Sequence, residues 1–377
     1  MHPEYLFLMK KKLLIILICS FSTFFCNAQN TNEVTVLYLL PFHLTEISEI
    51  YTSFKNSSDI NQVKQFEMMG FWLGTKMALQ EYNNSDKMIN VIVRDAVTDE
   101  YALTELLKDS LLMARVNIII GPFYGSLFPV AAEFAKNHNI IIINPFSTRY
   151  DFVEHNPNVY KLVPPFISRS ETLSEHFLSR PNDFNIILWG DSTITPELLA
   201  YRYYFNEQKI QYKEVHTLTL PLDTRKKNLI IALFTEPNRV INSVHTLTNY
   251  DETEYNIVVA PEKWFSISEL TEDFFKLPHL YFFSNYFVDE NSNEAKQFQT
   301  DYLYNYEAPA ELAAYSYQGY DITRYFIDLF FADFKVDEVT FQPLSYRFQW
   351  EQILDGGFEN KKVRFIQVKN LELEEVK

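Results

Sequence analysis

The sequence predicts an α/β protein with helices on both faces of mostly parallel sheets, and two observations carry that prediction. Val116 to Ile120 and Ile140 to Ile143 are apolar at nearly every position, as strands covered on both faces should be, and an amphipathic segment between them completes a βαβ unit. Strand-like and helix-like segments then alternate along most of the chain, which predicts right-handed crossovers. Pro164-Pro165 interrupts the rhythm, since consecutive prolines continue neither a helix nor a central strand, and a second lobe begins after it.

The first lobe opens with Asn32 to Phe42 as a buried strand. Val63 to Tyr82 carries Met68, Phe71, Trp72, Met77 and Leu79 at helical spacing, MINVIVRDAVTD returns to strand, and Tyr101 to Met113 is the next helix. After the prolines come a strand at Asn185 to Trp189, a helix near Pro196 to Gln208, and strands at Tyr212 to Leu218 and Leu229 to Phe234. The helix Arg239 to Thr248, the strand Tyr255 to Val259 and an aromatic-rich segment Leu280 to Val288 follow. Gln297 to Tyr306 and Ala310 to Phe334 read as helices, with Pro309 suited to starting the second. Tyr346 to Trp350 and Val363 to Val368 read as a hairpin with a long connection around Gly356-Gly357.

With 377 residues, 47% hydrophobic and 22% charged, the composition is globular and long enough for two domains. Residues 1–28 read as an export signal. Lys10-Lys11-Lys12 supplies a basic start, Leu13 to Phe25 an apolar core too short to span a bilayer, and Cys26-Asn27-Ala28 a cleavage site before Gln29. Thr23-Phe24-Phe25 argues against acylation of Cys26, because it places an aromatic where a lipoprotein signal needs a small residue. The expectation is a periplasmic chain. Cys19 and Cys26 are the only cysteines, so the mature chain has no disulfide framework, thiolate metal site or cysteine nucleophile. The net charge of −16, with no basic stripe, argues against nucleic-acid binding.

The motif search points away from catalysis. There is no Gly-x-Ser-x-Gly elbow, no His-Glu-x-x-His, no Walker A loop and no Gly-x-Gly-x-x-Gly, and the eight histidines show no ligand pairing. Gly70 to Lys76 (GFWLGTK) imitates a phosphate loop but lies inside a helical pattern with large aromatics. Neither an enzyme, a metal site nor a cofactor is expected. Ligands of parallel sheets sit outside the strands' carboxyl ends. Here those ends are the turns Gly121 to Ser126 and Asn144 to Thr148. Ser126 suits an N-cap for a helix over Leu127 to Asn137, Ser147-Thr148 offers hydroxyls, Asp95 reads as a turn or cap residue, and Glu262 follows the strand Tyr255 to Val259.

The order of VNIIIGPFYGS, AAEFAKNHNIIIINPFST, PNVYKLVPP, VVAPEKW and FQTDYLYNYEAPAELAAYSYQGYD, spread over about residues 34 to 370, resembles the type I periplasmic binding proteins, the branched-chain amino-acid receptors of ABC importers. The resemblance implies two doubly wound, Rossmann-like lobes joined by three crossing segments, near Pro164-Pro165, Phe283-Ser284 and the end of Ala310 to Phe334. The N-terminal lobe is then 29–164 with 286–333, and the C-terminal lobe 165–285 with 334–377. A small amino-acid-like ligand would lie in the cleft between them against Tyr124, Gly125, Ser126, Phe146, Ser147, Thr148 and Glu262. Phe146-Ser147-Thr148 matches the family's alanine-x-threonine turn, keeping the threonine, and Glu262 matches the acid facing the ligand amine. Gly125 stands where the family has the serine that helps bind the ligand carboxylate, with Ser126 one residue later, and the family's tyrosine near Phe234-Thr235-Glu236 is absent. The implied partners are the membrane subunits of an ABC importer. The ending YRFQWEQILDGGFENKKVRFIQV also looks like envelope relatives linked to peptidoglycan, for which the partner would be a peptidoglycan synthase.

Overall fold

A computed structural model describes residues 32–44, 46, 63, 66–96, 99–248, 255–270, 272–275, 277–313, 315–369 and 371–376. The export signal expected at 1–28 lies outside them. In chain order the first lobe contains β1 (Glu33–Leu40), α1 (Met69–Gln80), β2 (Met88–Asp95), α2 (Glu100–Leu107), α3 (Ser110–Met113), β3 (Ile118–Ile120), α4 (Phe128–His138), β4 (Ile141–Asn144) and β5 (Val159–Lys161). The second continues with α5 (Ile167–Phe177), β6 (Phe184–Trp189), α6 (Pro196–Glu207), β7 (Lys213–Val215), β8 (Lys227–Ala232), α7 (Pro237–Thr248), β9 (Asn256–Ala260), α8 (Glu272–Phe275) and β10 (Leu280–Ser284). Then come α9 (Asn293–Tyr306), α10 (Ser316–Phe331), β11 (Trp350–Gln352), β12 (Phe358–Asn360), β13 (Arg364–Lys369) and β14 (Glu372–Glu375).

One sheet has the order β11-β12-β5-β4-β3-β1-β2 and the other β14-β13-β10-β9-β8-β6-β7. The order β2-β1-β3-β4-β5 recurs as β7-β6-β8-β9-β10, and all pairs in these two runs are parallel. Each lobe is therefore doubly wound in the flavodoxin-like order. The central strands are buried on both faces, and the edge strands only in part. Ile118, Ile119 and Ile120 align with Val36, Leu37 and Tyr38 on one side and with Ile141, Ile142 and Ile143 on the other.

α1 and α10 cross with almost no space between their backbones. A β-carbon on Gly74 would collide with the Ser316 carbonyl, and one on Gly319 with that of Phe71. Gly74 of GFWLGTK thus serves helix packing, which is why a phosphate-loop imitation stands inside a helix. The helix expected over Tyr101 to Met113 breaks at Lys108-Asp109, because Asp109 accepts the Leu112 N–H at 3.1 Å and starts a new helix. Ala310 to Phe334 is likewise two pieces, a short 3-10 turn over Ala310–Leu312 and α10, separated where Tyr315 takes a left-handed φ of 63°. α5 was not anticipated; Pro164 and Pro165 precede its first turn rather than introducing a strand.

The carboxyl-terminal quarter corrects the expected lobe boundary. β11 pairs antiparallel with β12 across Gly356-Gly357, and β12 runs parallel to β5, so residues 350–360 extend the first sheet instead of belonging to the second lobe. β13 then pairs antiparallel with β10. The third crossing is consequently Lys361 to Val363, not the end of Ala310 to Phe334, and the hairpin expected between Tyr346–Trp350 and Val363–Val368 does not form. Tertiary contacts decide this. Lys161 Nζ and Glu359 Oε1 form a buried ion pair at 2.8 Å between β5 and β12, and a β-carbon on Gly356 would come within 2.5 Å of the Val153 carbonyl oxygen.

Candidate ligand site at the carboxyl ends of the strands

Strand order reverses between β1 and β3 in one sheet and between β6 and β8 in the other, and ligands of such sheets bind at these switch points. In the first lobe the switch point is built from the residues after β1 and β3. The Asp95 carboxylate accepts backbone N–H groups of Phe42 at 2.8 Å, His43 at 3.1 Å and Leu44 at 2.7 Å, so it is a turn-capping residue. That clamp holds His43 at a left-handed φ of 51°. His43 Nε2 lies 2.9 Å from Tyr124 Oη, and Nδ1 lies 3.4 Å from Glu46 Oε1. The imidazole and the phenol thus meet across the switch point. Sequence reading passed over His43 as one of eight scattered histidines. The available signal was its place just past a buried parallel strand.

The two glycines of the β3 turn differ. Gly121 has φ 92°, and a β-carbon there would lie 2.5 Å from the Leu39 carbonyl oxygen, so the backbone requires glycine. Gly125 has nothing within 4 Å of such an atom. The backbone makes no demand at the position where the resemblance expects serine. Ser126 is exposed and does not cap α4, whose N-cap is Leu127 with no side-chain bond.

In the β4 turn, Asn144 Oδ1 accepts the N–H groups of Phe146 at 3.2 Å and Ser147 at 2.7 Å. Ser147 Oγ in turn accepts the Arg149 N–H at 3.1 Å. Phe146 meets Phe123 edge-on at 5.2 Å and lies 4.8 Å from Tyr315, while Phe123 meets Phe71 at 5.1 Å. Phe146 is therefore anchored by the core. Thr148 is exposed, and its hydroxyl makes no hydrogen bond with the described residues. Arg149 Nη1 to the Gly125 carbonyl at 3.5 Å ties the two turns together.

Glu262 stands apart from these residues, at the start of a 3-10 turn after β9 in the second lobe. Ser284 Oγ lies 2.7 Å from both Glu262 Oε1 and the Tyr286 carbonyl oxygen, one proton serving two acceptors. Glu262 is exposed by area yet crowded by surrounding protein, and desolvation pushes its carboxyl above the usual range against the opposing pull of Ser284 and Arg169. Arg169 is already paired with Glu197 at 2.5 Å. Among the described residues Glu262 has no cation within ion-pair distance. Phe234-Thr235-Glu236 contains no tyrosine, but the crossing after β10 presents Tyr286, 40% exposed. Burial raises its phenol first, with Tyr315 and Glu262 adding to the rise, and its carbonyl shares the Ser284 hydroxyl with Glu262.

No protein-family model matches the sequence, and neither does any curated protein. Solved structures do match. An ABC transporter substrate-binding protein from Desulfitobacterium hafniense aligns at 13% identity and TM-score 0.57, covering 91% of this chain and 100% of that one. A putative branched-chain amino acid ABC transporter from Rhodospirillum rubrum aligns at 11% and 0.63 with the same coverage. Full-length LpoA from Haemophilus influenzae aligns at 15% and 0.60, covering 93% of this chain but 60% of its own; its C-domain is described as a regulator of PBP1A. The chain has the type I periplasmic binding protein fold. Structures similar to it are of binding proteins and regulators. Among the described residues no helix is long and apolar enough to cross a membrane, and no group of three or more His, Cys, Asp and Glu side chains could hold a metal ion.

Proposed function

We propose that the protein is an exported, non-catalytic solute receptor that holds a small amine-bearing ligand, amino-acid-like in size, between its lobes. The observation that carries this reading is Glu262, a crowded carboxylate with no cationic partner among the described residues. A ligand ammonium would supply that partner, with Tyr286 beside it and Tyr124, Ser126, Ser147 and Thr148 opposite. Transfer to an importer's membrane subunits would follow. Thermal-shift screening of the protein against amino acids, amines and short peptides tests this, because a ligand selective for the native state raises the melting temperature. Scattering with the hit should show compaction, as lobe closure requires. Turnover of the hit, or stabilisation only by ligands lacking an amine, would overturn it.

A second reading is favoured by one feature of the first lobe. Gly125 contributes no hydroxyl and Ser147 Oγ is engaged by Arg149, so the half of the cleft that would hold a carboxylate is sparsely equipped. An envelope regulator, working through its outer surface on a partner such as a peptidoglycan synthase, has no use for those groups. Recovery of a synthase from solubilised envelope, with no compaction by any small molecule, would establish this reading over the first.

A further inference from the structure

Where the chain leaves β10, a cavity of about 550 Å³ opens between three elements. Tyr286 to Asn291 forms one wall, the turn leading into α10 a second, and β14 a third, so both lobes contribute. Its charge is one-sided. Asp289, Glu290, Glu311 and Glu372 line it, no lysine or arginine does, and among the described residues none of the four carboxylates has a basic partner. Lys296 stands at the margin with its Nζ bound to the Asn291 carbonyl at 2.9 Å, and Lys369, opposite Glu372 in the β13–β14 register, is paired with Glu374 at 3.4 Å.

Two further features concern what would fill this space. Tyr286, Tyr315 and Tyr317 supply aromatic surface, and after burial it is Glu311 and Glu290 that help raise the Tyr317 phenol to about 12. Gln318 is the independent one. It lines the cavity at only 6% exposure, and its amide makes no hydrogen bond with any described residue. The side chain is buried while its amide faces the open space of the cavity, where a ligand could bond it.

The lining asks for separated positive charges on an apolar stem. Ammonium groups answer the carboxylates and tyrosine faces, methylenes pack on the rings, and one N–H reaches the Gln318 oxygen. A single metal ion does not fit, because no three of these acidic groups converge. We propose that the cavity binds an aliphatic polyamine, with ammonium groups on Glu290, Glu311 and Glu372 and its stem over the three tyrosines. This site borders the Glu262 cleft at Tyr286, but its carboxylates are different ones and it does not depend on the receptor reading.

Calorimetry with spermidine, at physiological ionic strength so that diffuse attraction is screened, tests the proposal. Glu290→Gln/Glu311→Gln should weaken binding about tenfold or more. Both glutamates are exposed, so the fold should survive, and an unchanged melting temperature checks this; if the melt shifts, Glu372→Gln on the other lobe serves instead. Gln318→Leu should weaken binding as well, whereas Glu262→Gln should leave it unchanged. Absent spermidine binding, equal affinity in the glutamate variants, or full displacement by magnesium at matched charge would overturn the site. Loss of spermidine binding in Glu262→Gln alone would also overturn it, by placing the amine in the cleft.

Discussion

Asp321 holds Ser345 twice, with the Ser345 N–H and Oγ each 2.6 Å from Asp321 Oδ2. The N–H groups of Leu344 at 2.8 Å and Tyr346 at 3.3 Å complete the set, and the Ser345 carbonyl receives Phe287 N–H at 2.8 Å and Arg364 Nη1 at 3.0 Å. One residue thereby joins α10, the crossing after β10 and the first strand beyond the third crossing.

Burial pushes the Asp321 carboxyl from 3.8 up to about 6 against the opposing pull of these donors. The folded pKa lies above the unfolded one, so the native state binds the proton more readily. The associated stability is fully present below the unfolded value and is lost as pH rises through about 6. The stability of wild type minus that of Asp321→Asn should fall by up to about 3 kcal/mol across this window. Denaturant unfolding at stepped pH measures it, and a pH-independent difference would contradict the assignment.

Gly319→Ala should destabilise by about 1–3 kcal/mol or more, since its methyl group must displace the α1 backbone at Phe71. Denaturant midpoints check this. Unchanged stability would mean the helices do not cross so closely.

Gly125→Ser should leave the melting temperature essentially unchanged, because the new side chain enters open space. It restores a hydroxyl to the sparse half of the cleft. Under the receptor reading it should strengthen binding of carboxylate-bearing ligands by about 0.5–1.5 kcal/mol, read by calorimetry. A large fall in melting temperature would show that the backbone there does need glycine.

Lys161→Met alone should cost about 3–5 kcal/mol, because it strands the buried Glu359 carboxylate. Lys161→Met/Glu359→Leu should cost much less. A double variant as damaged as the single would show that the pair's geometry, not its charge, fixes β12 beside β5.

Thr148→Ala should weaken an amino-acid ligand by about 1–3 kcal/mol through an unpaired ligand oxygen. Glu262→Gln should weaken amines selectively, and wild-type binding of amines should decline as pH falls through the raised pKa of Glu262, where the carboxylate becomes neutral. Equal affinities in calorimetry would remove both residues from the site.

The alternation of apolar runs and amphipathic segments was enough to read the α/β class and the two lobes, because strands buried on both faces and helices buried on one leave distinct periods in the chain. The turns after β3, β4 and β9 were legible for the same reason, since they follow those strands directly. Tertiary structure alone decided the rest. Whether residues 350–360 extend the first sheet or the second depends on the Lys161–Glu359 pair and on backbone passing close to Gly356, contacts between residues far apart in sequence. The same holds for His43. Its own neighbours mark it as an ordinary turn residue, and only the reversal of strand order between β1 and β3 brings it to Tyr124. Local periodicity records which face of an element is buried, but not which distant element buries it.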